Sequence, residues 1–410
     1  MSGTPSGSGL IPTGAAGSNM QRQKMTPQQQ NSMARQLIFN RAKPIFQQVT
    51  SKTITNIGAA SGNNVIQVNP LQIGWIRRFY VEVAATVVNS DTSHAALLAP
   101  FGADMIISNL TFNDFTGNPR HNCSGRSLSF VEAAKYKEIP GAAYTTDSVS
   151  GFGSNIGSNT CGTIASSGTV TMRRIFEVPI MVDAGLNQAG GLWLGTNSQT
   201  TSLNITVNPA PIVAASGDPL NAVWQLASGG STIGTTPITS CTVTIYQDYW
   251  NDVPVDKTGN PILPQQDLQT AYMITETNSG LTFAQGQASS WSFPTFSKMM
   301  GTYIVFDNGG TLSPGTDVST IALTLSNYAI VKQYDPYVLD RLVRAVMQSS
   351  YPDGTYALIT RQHQLNVDQY PALQLQFTPS SVNSGAKALI TTELLRPVQY
   401  MAAASGMGSV

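Results

Sequence analysis

The 410-residue sequence carries little charge for its length. Asp, Glu, Lys and Arg make up 11% of it, against roughly 25% in an average soluble protein. Hydrophobic residues make up 41%, which is enough for substantial cores. A surface kept in water by neutral hydrogen-bonding groups repels other copies of itself only weakly, so the composition favours a protein that packs against itself. Adhesins and lectins share such a composition.

Cysteines are few, and long apolar runs are missing. Cys123, Cys161 and Cys241 are widely spaced and odd in number, so neither a zinc site nor a disulfide framework is indicated, and buried free thiols are expected. No run approaches the roughly 18 apolar residues of a membrane-spanning helix. The first residues lack the charged and apolar regions of a signal peptide. We therefore expect a chain that is soluble when made, in a reducing cytoplasm.

The motifs of common catalytic and cofactor sites are also missing. His94, His121 and His363 have no partner at the spacing of metal ligands, and the sequence contains no HExxH, GxSxG or GxxxxGK[ST]. The glycine-rich segment 151–157 misses the spacing of a dinucleotide-binding loop. The sequence therefore predicts no catalytic residue, no cofactor and no metal site.

One acidic and aromatic segment needs closer attention, because glycosidases require only two carboxylates at a defined separation. Its residues are Tyr246, Asp248, Tyr249, Trp250, Asp252 and Asp256. They could line a sugar groove, and a carbohydrate-binding or glycan-hydrolysing β-sandwich is the alternative function that they suggest. The segment also reads as a linker, in which Asp favours turns and aromatic residues fill a seam between domains. We favour the structural interpretation.

The net charge is zero, but its distribution is uneven. The first 81 residues contain eight basic residues and no acidic one, which leaves a net charge of −8 on the remainder. Within this basic region a helix is predicted from Thr26 to Pro44, with Thr26 as N-cap and Pro27 at the first helical position. A basic amphipathic helix is typical of contact with a membrane surface or a neighbouring subunit, although it can also pack on its own domain.

The chain length predicts two domains, and the strand pattern places them on either side of Cys241–Thr275. Residues alternate with a period of two on each side, whereas Pro254, Pro261 and Pro264 interrupt the pattern between them. A similar order occurs twice: a short strand, a long strand, a strand, one helix, and further strands. The two helices are predicted near Ser127–Glu138 and from Asp335 onward. This weak repeat indicates two β-barrels of similar wiring, as in β-sandwiches or jelly rolls.

Four segments carry a family resemblance. They are ARQLIFNRAKPIFQQV (34–49), NPRHNCSGRSLSFVEAAK (118–135), YQDYWNDVPVDKTGNPILPQQDL (246–268) and IVFDNGGTLSPGTDV (304–318). In the same order, they resemble the major capsid protein of tectiviruses, which are icosahedral bacteriophages with an internal lipid membrane. FDNGG followed by GTD is the most specific part. Residues 1–20 and the loops at 142–167 and 184–236 show no resemblance.

The resemblance implies a mainly β fold with two eight-stranded jelly-roll barrels in tandem, each with a short helix, plus the N-terminal amphipathic helix. The expected divisions are an N-terminal arm at 1–48, a first jelly roll at 49–250, a linker at 251–268, a second jelly roll at 269–396 and a C-terminal tail at 397–410. Two Gly/Ser-rich segments of the first barrel would rise from the shell as tower loops.

The resemblance also implies function. We expect a structural major capsid protein with no enzymatic activity, located in the virion shell, whose homotrimer presents six barrels as a pseudo-hexagonal capsomer. Its partners would be other copies, the lipids of the internal membrane, and minor capsid and vertex proteins, without direct contact to nucleic acid. The residues expected to face the membrane or a neighbour are Arg22, Lys24, Arg35, Arg41 and Lys43. Those expected at the inter-barrel seam are Tyr246, Tyr249, Trp250, Pro254, Pro261 and Pro264.

Overall fold

The computed structural model describes residues 25–60, 64–136, 161–183, 188–195, 201–278, 280–312, 315–325, 330–347, 351–370 and 372–400. Its helices are α1 (Pro27–Arg41), α2 (Gly125–Tyr136), α3 (Gln265–Leu268) and α4 (Pro336–Met347). The first strands are β1 (Lys43–Ile57), β2 (Val65–Val68), β3 (Trp75–Val88), β4 (Ala96–Leu98), β5 (Ile107–Asn113), β6 (Pro119–Cys123), β7 (Thr169–Pro179), β8 (Leu192–Trp193), β9 (Ser202–Val207), β10 (Ile212–Val213), β11 (Trp224–Leu226) and β12 (Ile238–Asn251). The remaining strands are β13 (Thr270–Asn278), β14 (Ser289–Ser292), β15 (Lys298–Asp307), β16 (Val318–Thr324), β17 (Ile330–Tyr334), β18 (Thr355–Ile359), β19 (Leu365–Asn366), β20 (Gln374–Pro379) and β21 (Lys387–Pro397).

The first barrel is built from two four-stranded arrays. One has the order β1-β12-β3-β7 and the other the order β6-β5-β9-β2. Numbered along the chain, these eight strands follow the orders 1-8-3-6 and 5-4-7-2, which is jelly-roll wiring. Alternate residues such as Phe79, Val81 and Phe112 point between the arrays and are fully buried. The period of two in the sequence therefore marks the inner face of this barrel.

The second barrel repeats this wiring in the last third of the chain. Its arrays have the orders β13-β21-β15-β18 and β17-β16-β20-β14, which again correspond to 1-8-3-6 and 5-4-7-2. A separate core fills it, in which the rings of Phe306 and Phe377 lie 4.9 Å apart. The prediction of two eight-stranded jelly-roll barrels, each with a helix, is confirmed.

The two barrels are joined through their backbones as well as through side chains. Strand β6 of the first barrel pairs in parallel with β13 of the second, with His121 opposite Ile274 and Asn122 opposite Thr275. This pair links one array of each barrel into a single nine-stranded sheet. Because hydrogen bonds continue across the junction, the barrels cannot slide past each other without breaking the sheet.

The repeat is closest over β5, β6 and α2, which recur as β16, β17 and α4. Leu110 pairs with Cys123, and Ile321 pairs with Tyr334. An irregularity follows Phe112 in one hairpin and Leu323 in the other. Every corresponding pair of residues is separated by 211 positions, so this part of the repeat has no insertion or deletion.

The N-terminal helix begins as predicted but ends earlier. The Thr26 hydroxyl accepts from the Gln29 amide at 3.3 Å, and the Gln29 side chain accepts from the Thr26 amide at 2.9 Å, which completes a capping box. The helix ends at Arg41, because Ala42 is extended and Lys43 precedes a proline. Strand β1 therefore begins at Lys43, nine residues before the expected Lys52.

Other features of the chain follow from the described residues. Cys123, Cys161 and Cys241 are buried thiols, and burial raises the pKa of Cys241 to about 12. No helix in the described ranges combines the length and hydrophobicity needed to cross a bilayer. Of the expected tower loops, most of 142–167 lies outside the described residues, and 208–236 contributes β10 and β11, which form a small sheet with β4.

Candidate functional site

Helix α2 lies between the two barrels and is buried on almost every side. The Phe130 ring is 5.7 Å from the Tyr303 ring and 5.3 Å from the Tyr351 ring, both of which belong to the second barrel. The Tyr351 hydroxyl donates to the Phe130 carbonyl at 3.0 Å. Burial of these aromatic surfaces contributes apolar contact across the seam. We call this contact, together with the β6–β13 pair, the internal seam.

Polar groups fix the orientation of α2 on the second barrel. Glu276 of β13 accepts hydrogen bonds from Ser124, Ser127 and Arg126, the last at 2.7 Å. Burial opposes ionisation of Glu276, but the Arg126 charge and the two hydroxyls outweigh it and hold its pKa below the usual value. The Ser127 hydroxyl also lies 2.7 Å from the Thr391 hydroxyl. The helix therefore meets β13 and β21 at defined positions.

A second buried acid lies nearby on β21. Glu393 is fully buried and accepts from the hydroxyls of Tyr272 at 2.7 Å and Tyr303 at 3.4 Å. Burial raises the pKa of Glu393, while the ion pair with Arg361 opposes that rise. Arg361 in turn donates to the Val182 carbonyl of the first barrel at 3.4 Å. This network connects the second barrel to the end of β7.

His121 occupies the junction of β6 and β13. Its Nε2 lies 2.6 Å from the Pro179 carbonyl oxygen, and the Ile274 amide lies 3.2 Å from its Nδ1. A carbonyl only accepts and an amide N–H only donates, so the ring is neutral with its proton on Nε2. Complete burial lowers the pKa of His121 to about 4.

The residues predicted at the seam lie at one end of the first barrel and in the connection that follows it. Tyr246 stacks on Phe46 at 5.2 Å on the outer face of the barrel, while Tyr249 and Trp250 are buried. Pro254, Pro261 and Pro264 lie between β12 and α3, where the Pro254 carbonyl accepts from Ile262 at 2.8 Å. The contacts described above that cross between the barrels come instead from α2, from the β6–β13 pair and from the hydrogen bond of Arg361 to Val182.

The acidic residues of this segment all have structural partners. Asp248 lies 3.3 Å from Arg77 and 2.9 Å from Arg78. Asp252 pairs with Lys43 on the surface at 2.8 Å, and Asp256 accepts from the Thr258 amide at 2.8 Å in a turn. Trp250 is covered by Arg77, whose guanidinium carbon lies 4.7 Å from the ring centroid. This arrangement resembles a folded linker and not a sugar groove.

The basic residues of the N-terminal region have different surroundings. Arg35 forms an ion pair with the buried Asp267, which also accepts from Asn31 at 3.3 Å. Lys43 pairs with Asp252, Arg41 is exposed, and Arg22 and Lys24 lie outside the described residues. Arg35 therefore holds α1 on its own chain. This corresponds to the alternative in which the helix packs on its own domain and does not use this arginine to contact a membrane or a neighbour.

Helix α1 also contributes apolar contacts at the same end of the molecule. Ile38 is fully buried in a small cluster with Trp75, Trp250 and Leu263. Elsewhere on the helix surface Phe39, 63% of whose surface is accessible, and Met33 are exposed. Part of α1 thus packs on the first barrel, while Phe39, Met33 and Arg41 remain accessible.

The residues of α2 that make the internal seam were missed from the sequence. A signal was present, because SLSFVEAAK places small and apolar residues around the whole helix and leaves only a narrow charged strip. Helices of that kind are buried on several sides. Their partners on β13, β15 and β21 lie about 150 or more residues away, as with Ser124 and Glu276, so no local pattern reports the contact.

Comparisons with known proteins agree along most of the chain. The family model described as P3 major capsid protein N-terminal matches residues 6–253, and that described as P3 major capsid protein C-terminal matches residues 279–409. Major capsid protein P3 of Enterobacteria phage PRD1 is 27% identical over 392 residues, covering 91% of this chain and 95% of that protein.

Two solved structures share the fold at low sequence identity. The crystal structure of the STIV MCP has a TM-score of 0.61 and 10% identity, covering 90% of this chain and 100% of that one. The quasi-atomic model of the PBCV-1 virus capsid has a TM-score of 0.51 and 9% identity, covering 87% of this chain and 95% of that one. At these identities the similarity shows the arrangement of two barrels in one chain.

Replacing Arg35 with alanine should release α1 from the barrel. The substitution leaves the Asp267 carboxylate, which is almost completely buried, without its cation, and breaking such a pair costs about 3 kcal/mol. Hydrogen exchange of the Pro27–Arg41 amides should accelerate by roughly a hundredfold. Arg41→Ala serves as the control, because Arg41 is exposed on the same helix. Equal exchange in the two variants would contradict the anchoring role.

Acid should weaken the junction of the barrels through His121. Because the folded pKa is about 4 and the unfolded value is about 6.5, the unfolded chain binds the proton first as the pH falls. The free energy of unfolding should therefore decrease by about 3 kcal/mol between pH 6.5 and 4 relative to His121→Gln. Urea unfolding of the unmodified chain and of His121→Gln across this pH range measures the two free energies of unfolding. Subtracting one from the other removes the contributions of the other titrating groups, which both proteins share. Parallel pH profiles would rule out the assignment.

Proposed function

The chain belongs to the P3 major capsid protein family, and we propose that three copies form a trimer whose six barrels make one pseudo-hexagonal capsomer. Membership of the family gives the chain its general role, that of a structural major capsid protein located in the capsid shell of the virion. The trimer, the enclosed internal membrane, and the minor capsid and vertex proteins as further partners are the finer parts of the proposal.

The observation that carries the proposal is the edge-to-edge contact of two identically wired barrels within one chain. A unit with two similar faces of this kind can continue the same contact to another copy, and a head-to-tail contact that closes gives a ring. Three chains supply six barrels, which is the number that a pseudo-hexagonal unit needs. The low charge of the chain also favours close packing between copies.

The proposal includes no catalytic role. The carboxylates that suggested a glycosidase are held by Arg77, Arg78 and Lys43 or accept hydrogen bonds within a turn. These contacts support a structural use of the segment, namely to carry the chain from β12 to β13 and to brace α1. They leave the carbohydrate-binding alternative without a supporting geometry.

The exposed side of α1 is the proposed contact with the membrane. Phe39 and Met33 offer apolar surface, and Arg41 is an exposed cation on the same helix. A basic residue near an anionic leaflet contributes about 1 kcal/mol, and many copies in one shell would add their contributions. Arg35 is excluded from this role by its ion pair with Asp267. Lys43 is partly neutralised by Asp252.

The trimer is tested by native mass spectrometry of the purified chain. The expected species has a mass of about 131 kDa, three times the chain mass of 43.6 kDa. It should survive moderate salt, because apolar contact and hydrogen bonds are screened little by ions. A monomer at micromolar concentration that also binds glycans on an array would overturn the proposal and restore the alternative.

Membrane contact is tested with a double variant, Phe39→Gln with Arg41→Gln. Sedimentation with vesicles that contain anionic lipid should show binding by the unmodified chain and a loss of about tenfold in the variant. Lys52→Gln with Val65→Gln is the matched control, since both residues are exposed. Lys52 lies roughly 30 Å along β1 from the start of that strand at the end of α1. Undiminished vesicle binding by the Phe39 and Arg41 variant would remove the lipid role of α1.

A further inference from the structure

Helices α2 and α4 occupy equivalent positions, but only α2 has both of its sides covered. Each has 12 residues and each follows the fifth strand of its barrel. Leu339 and Val343 of α4 are buried against the second barrel, as α2 is against the first. The α2 residues that meet the other barrel, namely Arg126, Ser127 and Phe130, are all buried, and so is the adjacent Val131. Their counterparts 211 positions later are all exposed, namely Tyr337, Val338, Arg341 and Leu342.

Three of these counterparts are large hydrophobic side chains, and about half of the surface of each is accessible to solvent. Val338 is 52% accessible where Ser127 is 0%, and Leu342 is 47% accessible where Val131 is 1%. Tyr337 is 59% accessible. A helix that keeps three large apolar side chains in solvent has a face without a partner in the described residues, and such a face marks a contact site.

The strand edges show the same asymmetry. In the internal seam, the fifth strand of the first barrel, β6, pairs with the first strand of the second barrel, β13. The equivalent fifth strand β17 and first strand β1 each end their sheet, with one outer edge unpaired among the described residues. Open edges of this kind are templates for pairing with another chain. The molecule therefore carries both halves of a second seam, at opposite ends.

The surface that would receive α4 can be located by register. In both barrels an irregularity interrupts the pairing of the third and eighth strands. The third residue pair beyond it is Tyr80 with Tyr246 in the first barrel and Tyr303 with Thr391 in the second. Tyr303 and Thr391 contact α2 across the internal seam. Tyr80 and Tyr246 are thus the corresponding positions on the first barrel.

An exposed aromatic cluster occupies this position. Phe46 is 58% accessible, stacks on Tyr246 at 5.2 Å, and meets the edge of Tyr80 at 5.8 Å. Phe46 lies opposite Asp248 of the eighth strand, as Ile274 lies opposite Glu393, so Phe46 corresponds to Ile274. Ile274 is completely buried in the internal seam. The equivalent surface of the first barrel is aromatic, with Phe46 in solvent and Tyr80 and Tyr246 half-buried beneath it.

We propose that α4 of one copy packs on Phe46, Tyr80 and Tyr246 of a second copy, and that β17 pairs in parallel with the β1 of that copy. By correspondence with the internal seam, Lys332 lies opposite Phe46 and Gln333 opposite Gln47. This assignment rests on the proposed trimer and names its interface. The occupant is a second copy because the chain already makes the same contact within itself, and the two unmatched halves complete each other.

The chemistry of the two halves is complementary. Arg341 is the counterpart of Phe130, and Tyr80 is the counterpart of Tyr303. In the contact between copies a guanidinium therefore replaces the phenyl ring that packs over the tyrosine. Val338 and Leu342 supply apolar surface to the exposed Phe46 and the half-buried Tyr246. The contact is head-to-tail, so each copy uses α4 on one side and β1 on the other, and the third copy closes the ring.

A cysteine pair tests the contact directly. Val338→Cys with Tyr246→Cys replaces the counterparts of Ser127 and Thr391, whose hydroxyl oxygens are 2.7 Å apart in the internal seam. Oxidation of the assembled double variant should convert most of it to linked dimers and trimers on non-reducing gels. Val338→Cys with Val255→Cys is the control, because Val255 is equally accessible and lies in the linker. The native thiols are buried, so each single variant should stay unlinked.

A charge on α4 provides the second measurement. Leu342→Asp should raise the trimer dissociation constant at least tenfold without changing the circular dichroism of the chain, whereas Val255→Asp should leave it unchanged. A trimer in native mass spectrometry that neither links through residues 338 and 246 nor responds to Leu342→Asp would overturn this interface and preserve the trimer. In that outcome α4 is left to a different partner, such as a minor protein. Absence of any trimer in the unmodified chain would overturn the proposed function itself.

Discussion

The burial of α2 between two β-barrels is the contact on which the rest of the structure depends. Phe130 contacts the Phe101 ring of the first barrel and the Tyr303 and Tyr351 rings of the second, while Arg126 and Glu276 form a largely buried ion pair. Buried ion pairs add little net stability, but they penalise any alternative arrangement that leaves one charge unpaired. The apolar contact therefore drives the barrels together, and the polar contacts select one relative orientation. A shell subunit needs that orientation to be fixed before it meets other copies.

The different residues of α2 and α4 fit the different times at which their contacts would form. The internal seam forms as the chain folds, so it can enclose Arg126 and Ser127 among satisfied partners. The proposed seam between copies forms between folded chains, and its face must remain soluble beforehand. Charged side chains surround Val338 and Leu342 on α4, namely Arg341 and the exposed ion pair of Asp340 with Arg344 at 2.7 Å. These charges keep the helix surface hydrated before assembly. In this proposal one repeat supplies a permanent contact within the chain and an assembly contact between copies, both from the same backbone arrangement.

Much of the fold can be predicted from the sequence because it depends on patterns among neighbouring residues. Alternation with a period of two marks β3, β7 and β12, and the capping box at Thr26 marks the start of α1. The first half of β1 was missed, since its exposed residues do not alternate and its pairing with β12 defines it. The sequence predicts the seam at six residues between Tyr246 and Pro264, because the aromatic and proline residues there give a strong local signal. The contacts between the barrels join positions such as Ser127 and Thr391, which local periodicity cannot connect.

The basic character of the N-terminal region is smaller in the folded chain than in the sequence. Arg35 pairs with Asp267, Lys43 pairs with Asp252 at the surface, and Arg77 and Arg78 share Asp248. A count of charges along the chain therefore overstates what an anionic partner would meet, because the acids that balance these bases lie about 170 or more residues later. The described part of α1 retains two exposed apolar side chains, Phe39 and Met33, and the exposed cation Arg41. Any contribution of this helix to the proposed membrane contact would then come largely from burial of the apolar side chains and depend only weakly on salt.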